Sequence, residues 1–345
     1  MGYAMAQRLY RQHELAFRTQ YAELKERTLG AGELLPGTPG SLALRAGSGR
    51  AYWYRVFNTI PGKAREQLVC KEGDEEALNV MRDRMAFAEW AAKQVGSLRK
   101  LMFQVADKTT ARVLVELHNR NAFEAGLVLV GSLGYMAWLN ELGAIAVTAR
   151  TLDIDVARRQ KLKLAAPLPF LETMKATGLP FVAVPGLPST AASTSVKLQG
   201  AEGLRVDLLA PGNVLGAMVK VPELDWVAQA IPYYDYLLAD AERGAMLAGG
   251  HCIPVQLPQA ARLVWHKLYA STQRKGFPEK AAKDQQQALA LGAVLADTDS
   301  GELVDAFRAA PKSMVSPVKS LLKALAAKAE AHPAMLEVLR QCLGR

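Results

Sequence analysis

The sequence predicts a mixed α/β (α+β) fold: a small mixed sheet in the middle, an N-terminal helix and a basic β-hairpin ahead of it, and a helical C-terminal half. Three observations predict this. Short extended stretches bounded by Gly and Pro recur between residues 127 and 211. Apolar residues at helical spacing mark the first 30 residues and most of the chain beyond 255. With 345 residues, half of them hydrophobic, there is material for two or three units around a substantial core. The boundaries expected from these shifts are an N-terminal extension over 1–104, a core over 105–254 and a helical domain over 255–345.

Taken in order, residues 1–30 read as one amphipathic helix, with Leu9, Phe17, Tyr21 and Leu24 spaced among charges. The Gly- and Pro-rich stretch LGAGELLPGTPG (29–40) is a loop. SLALRAGSGRAYWYRVF (41–57) reads as two strands joined by an AGSGR turn, with a further turn at Gly62–Lys63. Two helices are expected over 74–104 and 105–124. EAGLVLVGSLGY then passes through a buried strand LVLV into a turn, and GYMAWLNEL resumes as helix. ARTLDIDVAR (149–158) reads as a strand, and PLPFLETMKATG (167–178) as a helix closed by Gly. PFVAVP, TSVKLQG and GLRVDLLAP are extended. Beyond 255 come helices, with Pro258 in a first turn, a stop at Gly276–Phe277–Pro278 and a break at Pro333.

Lys and Arg exceed Asp and Glu by nine, a net charge of +9, which favours an anionic partner such as a nucleotide or a nucleic acid. Cys70, Cys252 and Cys342 are odd in number and far apart, so neither a disulfide framework nor a zinc pattern is indicated. A reducing, cytoplasmic location is expected. No apolar run approaches the roughly 18–20 residues of a membrane span, and no membrane partner is expected. The start reads as neither a secretory signal nor a lipidation site. The hairpin interleaves Arg45, Arg50, Arg55 and Lys63 with aromatics that include Trp53. These are candidates for holding a nucleic-acid strand by phosphate contact and stacking. The other reading is a structural sheet whose aromatics pack on the preceding helix.

Two aspartates in ARTLDIDVAR pose the main chemical question. Side chains alternate along a strand, so Asp153 and Asp155 share one face while Leu152, Ile154 and Val156 share the other. The pair is about 7 Å apart along the strand. Either this is a solvated edge, or the two carboxylates hold a cation between them. Magnesium suits them, as a hard ion that takes carboxylate and phosphate oxygens together. Upstream, LVLV runs into Gly131–Ser132 and then a helix, which offers free backbone N–H groups to a phosphate. This turn is neither a P-loop nor a dinucleotide fingerprint. The histidines lack metal-ligand spacing, and the STAAST run is not a nucleophile elbow.

An apolar residue, Gly–Ser, a helix and then Asp-apolar-Asp: this pattern resembles the nucleotidyltransferase fold of the DNA polymerase β superfamily. The resemblance implies a third carboxylate on a later strand, which Asp207 in GLRVDLLAP would supply. The basic Tyr-Trp-Tyr hairpin, the VDLLAP strand and the helix PQAARLVWHKLYAS make the chain similar to a bacterial branch of that superfamily, over residues 41 to 305. Related toxin and abortive-infection transferases carry a Lys-apolar helix followed by a Lys/Arg-Asp pair, positions that His266–Lys267–Leu268 and Lys283–Asp284 would fill.

The resemblance implies transfer of a nucleoside monophosphate from an NTP to a hydroxyl with two magnesium ions as cofactor. Asp153, Asp155 and Asp207 would be the catalytic and metal-holding groups, and Gly131 and Ser132 would hold the triphosphate. Lys267 and Arg274, seven residues apart on one helix, are either further nucleotide ligands or an ordinary basic face. Asp284 would orient Lys267 or pair with a surface lysine. The acceptor implied is RNA or tRNA, a protein side chain or a small molecule, with an antitoxin or operon partner in a toxin or defence role. The alternatives are a nucleic-acid-binding scaffold on an unused fold, and a small-molecule transferase.

Overall fold

The computed structural model describes residues 8–344 except 48, 61–62, 148–150, 187, 189 and 201–202, and gives backbone alone at 59, 60 and 63. A two-residue strand β1 (Arg11–Gln12) precedes helix α1 (Leu15–Leu29). The helix expected over 1–30 therefore begins only at Leu15, because Arg11 and Gln12 pair in extended form with Ile145 and Ala144. Its first seven residues lie outside the described ones. Tyr21 and Leu24 are the buried side of α1, as their spacing predicts.

Strands β2 (Ser41–Gly47), β3 (Arg50–Ile60) and β4 (Lys63–Lys71) form an antiparallel three-stranded sheet. The expected hairpin is there, extended by β4, whose KAREQLVCK carries too many charges to read as a strand. Helix α2 (Glu75–Lys100) follows, with the Asp74 side chain accepting from the Ala77 N–H. Glu75 and Glu76 in its first turn and Arg99 and Lys100 in its last both suit the helix dipole. In α3 (Lys108–Asn119), Asp107 accepts from the N–H groups of Thr109 and Thr110.

The central part runs β5 (Leu127–Leu129), α4 (Gly131–Glu141), β6 (Ala144–Ile145), β7 (Asp153–Arg158), α5 (Phe170–Ala176), β8 (Phe181–Ala183), β9 (Ser195–Leu198) and β10 (Arg205–Pro211). Then come β11 (Met218–Val221), a 3₁₀ turn (Pro222–Leu224), β12 (Trp226–Ile231), a short α6 (Tyr234–Leu237), β13 (Glu242–Ala248) and β14 (His251–Leu257). The main sheet is mixed, in the order β11-β12-β10-β7-β5, with β9 and β8 added beside the first half of β10. β10 is parallel to β7 and β12, and the remaining pairs in this sheet are antiparallel. Strands β13 and β14 form a separate ribbon.

The C-terminal half is helical as expected: α7 (Ala260–Gln273), α8 (Pro278–Ala309), α9 (Lys312–Lys328) and α10 (Pro333–Leu343). Pro278 and Pro333 each stand at a helix start, where the missing N–H costs nothing. One hydrophobic cluster runs from the main sheet through α4 and α7 to α8, α9 and α10. Buried indole and phenol groups tie these layers: Trp138 Nε1 donates to the Pro258 carbonyl, Trp265 Nε1 to Leu303 and the Tyr236 hydroxyl to Ala306, each at 2.8 Å. No helix among the described residues is long and apolar enough to cross a membrane.

Candidate active site

The site starts from alternation in β7. Ile154 and Val156 are fully buried in the sheet's inner face, which leaves Asp153 and Asp155 on the opposite face, the first exposed and the second half-buried. β10 repeats the pattern, with Val206 and Leu208 buried and Arg205 and Asp207 outward. The two strands are parallel and in a register that sets Asp207 beside Asp155 and Arg205 beside Asp153. The three expected aspartates therefore share one face of two adjacent strands.

Gly131 fixes the third side of this face. The amide of Val130 donates to the carbonyl of Asp155 at 3.0 Å, so the end of β5 is bonded to β7 at the site. The chain then turns into α4 with Gly131 at φ 65°, where a side chain is strained. A Cβ on Gly131 would overlap the Asp155 carboxylate. Only glycine lets the carboxylate and the helix start approach this closely. Ser132 follows in the first turn of α4, half-buried, among the N–H groups that a helix start leaves unpaired.

The electrostatics follow from this crowding. Burial, then Asp207, then Asp153 push the Asp155 carboxyl up to about 7, while Lys267 and Arg274 act in the opposite sense. These cations come from the helical half. Lys267 on α7 is 5% exposed and lies 3.5 Å from Asp284 of α8, itself buried. Arg274, just past α7, donates from Nε to the other Asp284 oxygen at 2.6 Å. Asp284 thus receives both cations, and the surface ion pair with Lys280 or Lys283 does not form. Burial pushes the Lys267 ammonium pKa down, and Asp284 raises it.

Three residues at the site were not singled out from the sequence. Arg205 donates from Nε to Asp207 Oδ1 at 2.7 Å and from Nη2 to the Ser195 hydroxyl at 2.6 Å. Ser195 lies beside Asp207 in the β9–β10 register. Tyr234 is buried, and its hydroxyl pKa is raised by burial first and by Asp155 next, which places it at the carboxylates. The available signals were Arg205's outward position two residues before Asp207 and the aromatic cluster YYDY after a strand. Among the described residues, no group of three or more His, Cys, Asp or Glu side chains stands ready to hold a metal ion. Asp207 is turned to Arg205 instead.

The basic hairpin candidates lie elsewhere, on the β2–β4 sheet. Arg55 is fully buried, and its guanidinium donates to the carbonyls of Pro36, Thr38 and Pro39 and to Gln67. As a contact for a nucleic-acid strand it is ruled out by that burial; it locks the 36–39 loop onto the sheet. Arg45 is exposed and paired with Glu66 at 2.9 Å. Arg50 is exposed, Trp53 is half-buried opposite Cys70, and the Lys63 side chain lies outside the described residues.

A protein-family model described as nucleotidyltransferase matches residues 108–311, more than half of the chain. The chain belongs to that nucleotidyltransferase family. The match begins at the first residue of α3 and ends at Pro311, the residue capping α9. It takes in Gly131, Ser132, all three aspartates and the Lys267–Asp284–Arg274 group. No curated protein and no solved structure matches the chain. Membership makes the chain an enzyme of the nucleotidyl-transferring class.

Proposed function

We propose that the chain moves a nucleoside monophosphate from an NTP to a hydroxyl acceptor, with magnesium held at Asp155, Asp207 and Asp153 and with an RNA end as the acceptor. The observation that carries this reading is the register of β7 and β10, which sets Asp207 beside Asp155 against the Gly131 turn. The donor chemistry fits a hard divalent cation: three carboxylates share one sheet face, and the most buried of them is held back from ionising by its burial first and by Asp207 and Asp153 next. Magnesium, two ions in the polymerase β superfamily that the site resembles, supplies charge stabilisation to the phosphoryl oxygens and acidifies the acceptor hydroxyl. The Arg205–Asp207 ion pair has to open for Asp207 to serve such a cation.

The chain's own groups have separable tasks. Gly131 and Ser132 receive the terminal phosphates on the backbone N–H groups at the start of α4. Lys267 and Arg274, anchored by Asp284, add positive charge from the helical side. An Asp207 carboxylate oxygen accepts the proton of the attacking hydroxyl as its oxygen bonds to the α-phosphorus, and the α–β phosphoanhydride bond breaks to release pyrophosphate. RNA is favoured over a protein side chain by the net charge of +9.

The test is incubation with each labelled NTP, magnesium and total bacterial RNA, alongside an Asp153→Asn/Asp155→Asn double variant. Label is expected on RNA, with the variant slower by at least about 100-fold. Absence of transfer to RNA, protein or small acceptors from every NTP, with RNA binding intact, would leave the scaffold reading in its place.

A further inference from the structure

The seam between the β2–β4 sheet and the rest of the molecule holds positive charge that no ion pair among the described residues neutralises. Arg112, early in α3, is 7% exposed, and its Nε and Nη1 atoms are buried without a hydrogen-bond partner. Glu116, one turn further along α3, partly offsets the Arg112 charge, but it is itself bonded to Arg120 at 2.6 Å. Arg65, an exposed residue of β4, reaches toward the same seam. Its guanidinium lies against Gly178 so closely that a Cβ there would overlap it. Gly178 follows α5, and α5 packs on α3, the helix that carries Arg112. Burial first, and Arg65 second, push the Arg112 pKa down. No ion pair or hydrogen bond to the Arg65 side chain occurs among the described residues.

Leaving Arg112 in this state is costly for the chain alone. Arginine does not discharge in proteins, so two neighbouring guanidinium groups repel each other. Buried donors without acceptors add their desolvation cost. A phosphoryl group answers both problems, because its oxygens match the guanidinium fork and its charge neutralises the pair. We propose that Arg65 and Arg112 form a phosphate-binding site in this seam, filled by a phosphodiester of a nucleic-acid strand or by the phosphate chain of a free nucleotide. It is built from elements other than the β7–β10 carboxylate face, and it stands whether or not the chain transfers nucleotides.

Binding of a labelled 20-nucleotide single-stranded RNA and of labelled ATP, both without magnesium, tests the site by fluorescence anisotropy. The Arg65→Gln/Arg112→Gln double variant is expected to bind one of them at least about 10-fold more weakly. For RNA the salt dependence should also flatten by about 0.7 in log–log slope for each phosphate no longer neutralised. Weaker binding of RNA identifies a strand, and weaker binding of ATP alone identifies the nucleotide. Unchanged binding of both overturns the proposal. Arg112→Met supplies a second measurement on the ligand-free protein. Removing an unpartnered buried charge should leave the melting temperature unchanged or raise it. A fall of several degrees would make Arg112 a structural residue and would equally overturn the site.

Discussion

At the scale of single residues, Gly131 and Asp155 are one device. The carboxylate occupies the space of the missing Cβ, and the positive φ brings the first turn of α4 down onto it. Gly131→Ala is therefore expected to cost about 1–3 kcal/mol of stability through backbone strain. It should also remove nucleotidyl transfer, since the displaced carboxylate can no longer sit beside Asp207. Chemical denaturation and the labelled-NTP assay measure the two effects, and a variant with wild-type transfer would show that this close approach is not needed. Alternation and the Asp-apolar-Asp spacing made the aspartates legible in the sequence. The partnership of Arg205 with Asp207 was not, because an arginine two residues away on a strand has equally good reasons to face solvent.

At the scale of elements, legibility followed the type of burial. The β7 and β10 strands are each wet on one face, so their alternation showed. β13 and β14 are buried almost throughout, and a continuous apolar run such as GAMLAGGHCIPVQL does not distinguish strand from helix. Of helices α7 to α10, the starts near Pro258, Pro278 and Pro333 were readable, with apolar spacing, whereas the break before α9 at Pro311 was not singled out. The hairpin was legible too, but its most basic-looking contact, Arg55, proved to be an internal clamp, because nothing local in YRVF tells which face turns inward.

Helix α7 itself carries a prediction about acid. His266 is 6% exposed, stacked edge-on to Tyr234 and set 3.2 Å from the Pro232 carbonyl. Burial above all lowers its pKa to about 4, with the Pro232 bond and Asp284 opposing and Lys267 adding to the shift. The unfolded chain thus takes up a proton near pH 6.5 that the folded chain refuses until about pH 4. Stability from this group is complete above pH 6.5 and is lost as pH falls toward 4, by up to about 3 kcal/mol. Burial lowers His13 and His251 in the same direction. Urea unfolding of His266→Gln should show a shallower decline between about pH 7 and pH 4 than the wild type. Superimposable profiles would mean that other groups carry the acid sensitivity.

At the scale of the whole molecule, the question is whether the helical C-terminal part is an appendage or a wall of the core. Composition alone suggests a boundary near 254, and the family match crosses that position without a break. The packing argues for a wall. Ala261, Val264 and Leu268 of α7 are fully buried in the same cluster as Leu129 and Val206 of the main sheet. Beyond the family match, Met335 of α10 packs against Gly292 of α8, where a Cβ would come within 2.9 Å of its methyl group. Lys267 and Asp284 complete the electrostatics of the carboxylate face from α7 and α8. A chain ending at Leu257 would expose the sheet-side half of this cluster, at roughly 25 cal/mol for every Å² of apolar surface left in water. That fragment is expected to show no cooperative urea transition, whereas the full chain should unfold with coincident near- and far-ultraviolet circular dichroism. Trp138 and Trp265, buried on opposite sides of the proposed cut, make the near-ultraviolet signal sensitive to this packing. A sharp transition in the shortened chain would instead make the first 257 residues a folding unit, with the C-terminal helices docked on it as a separate domain.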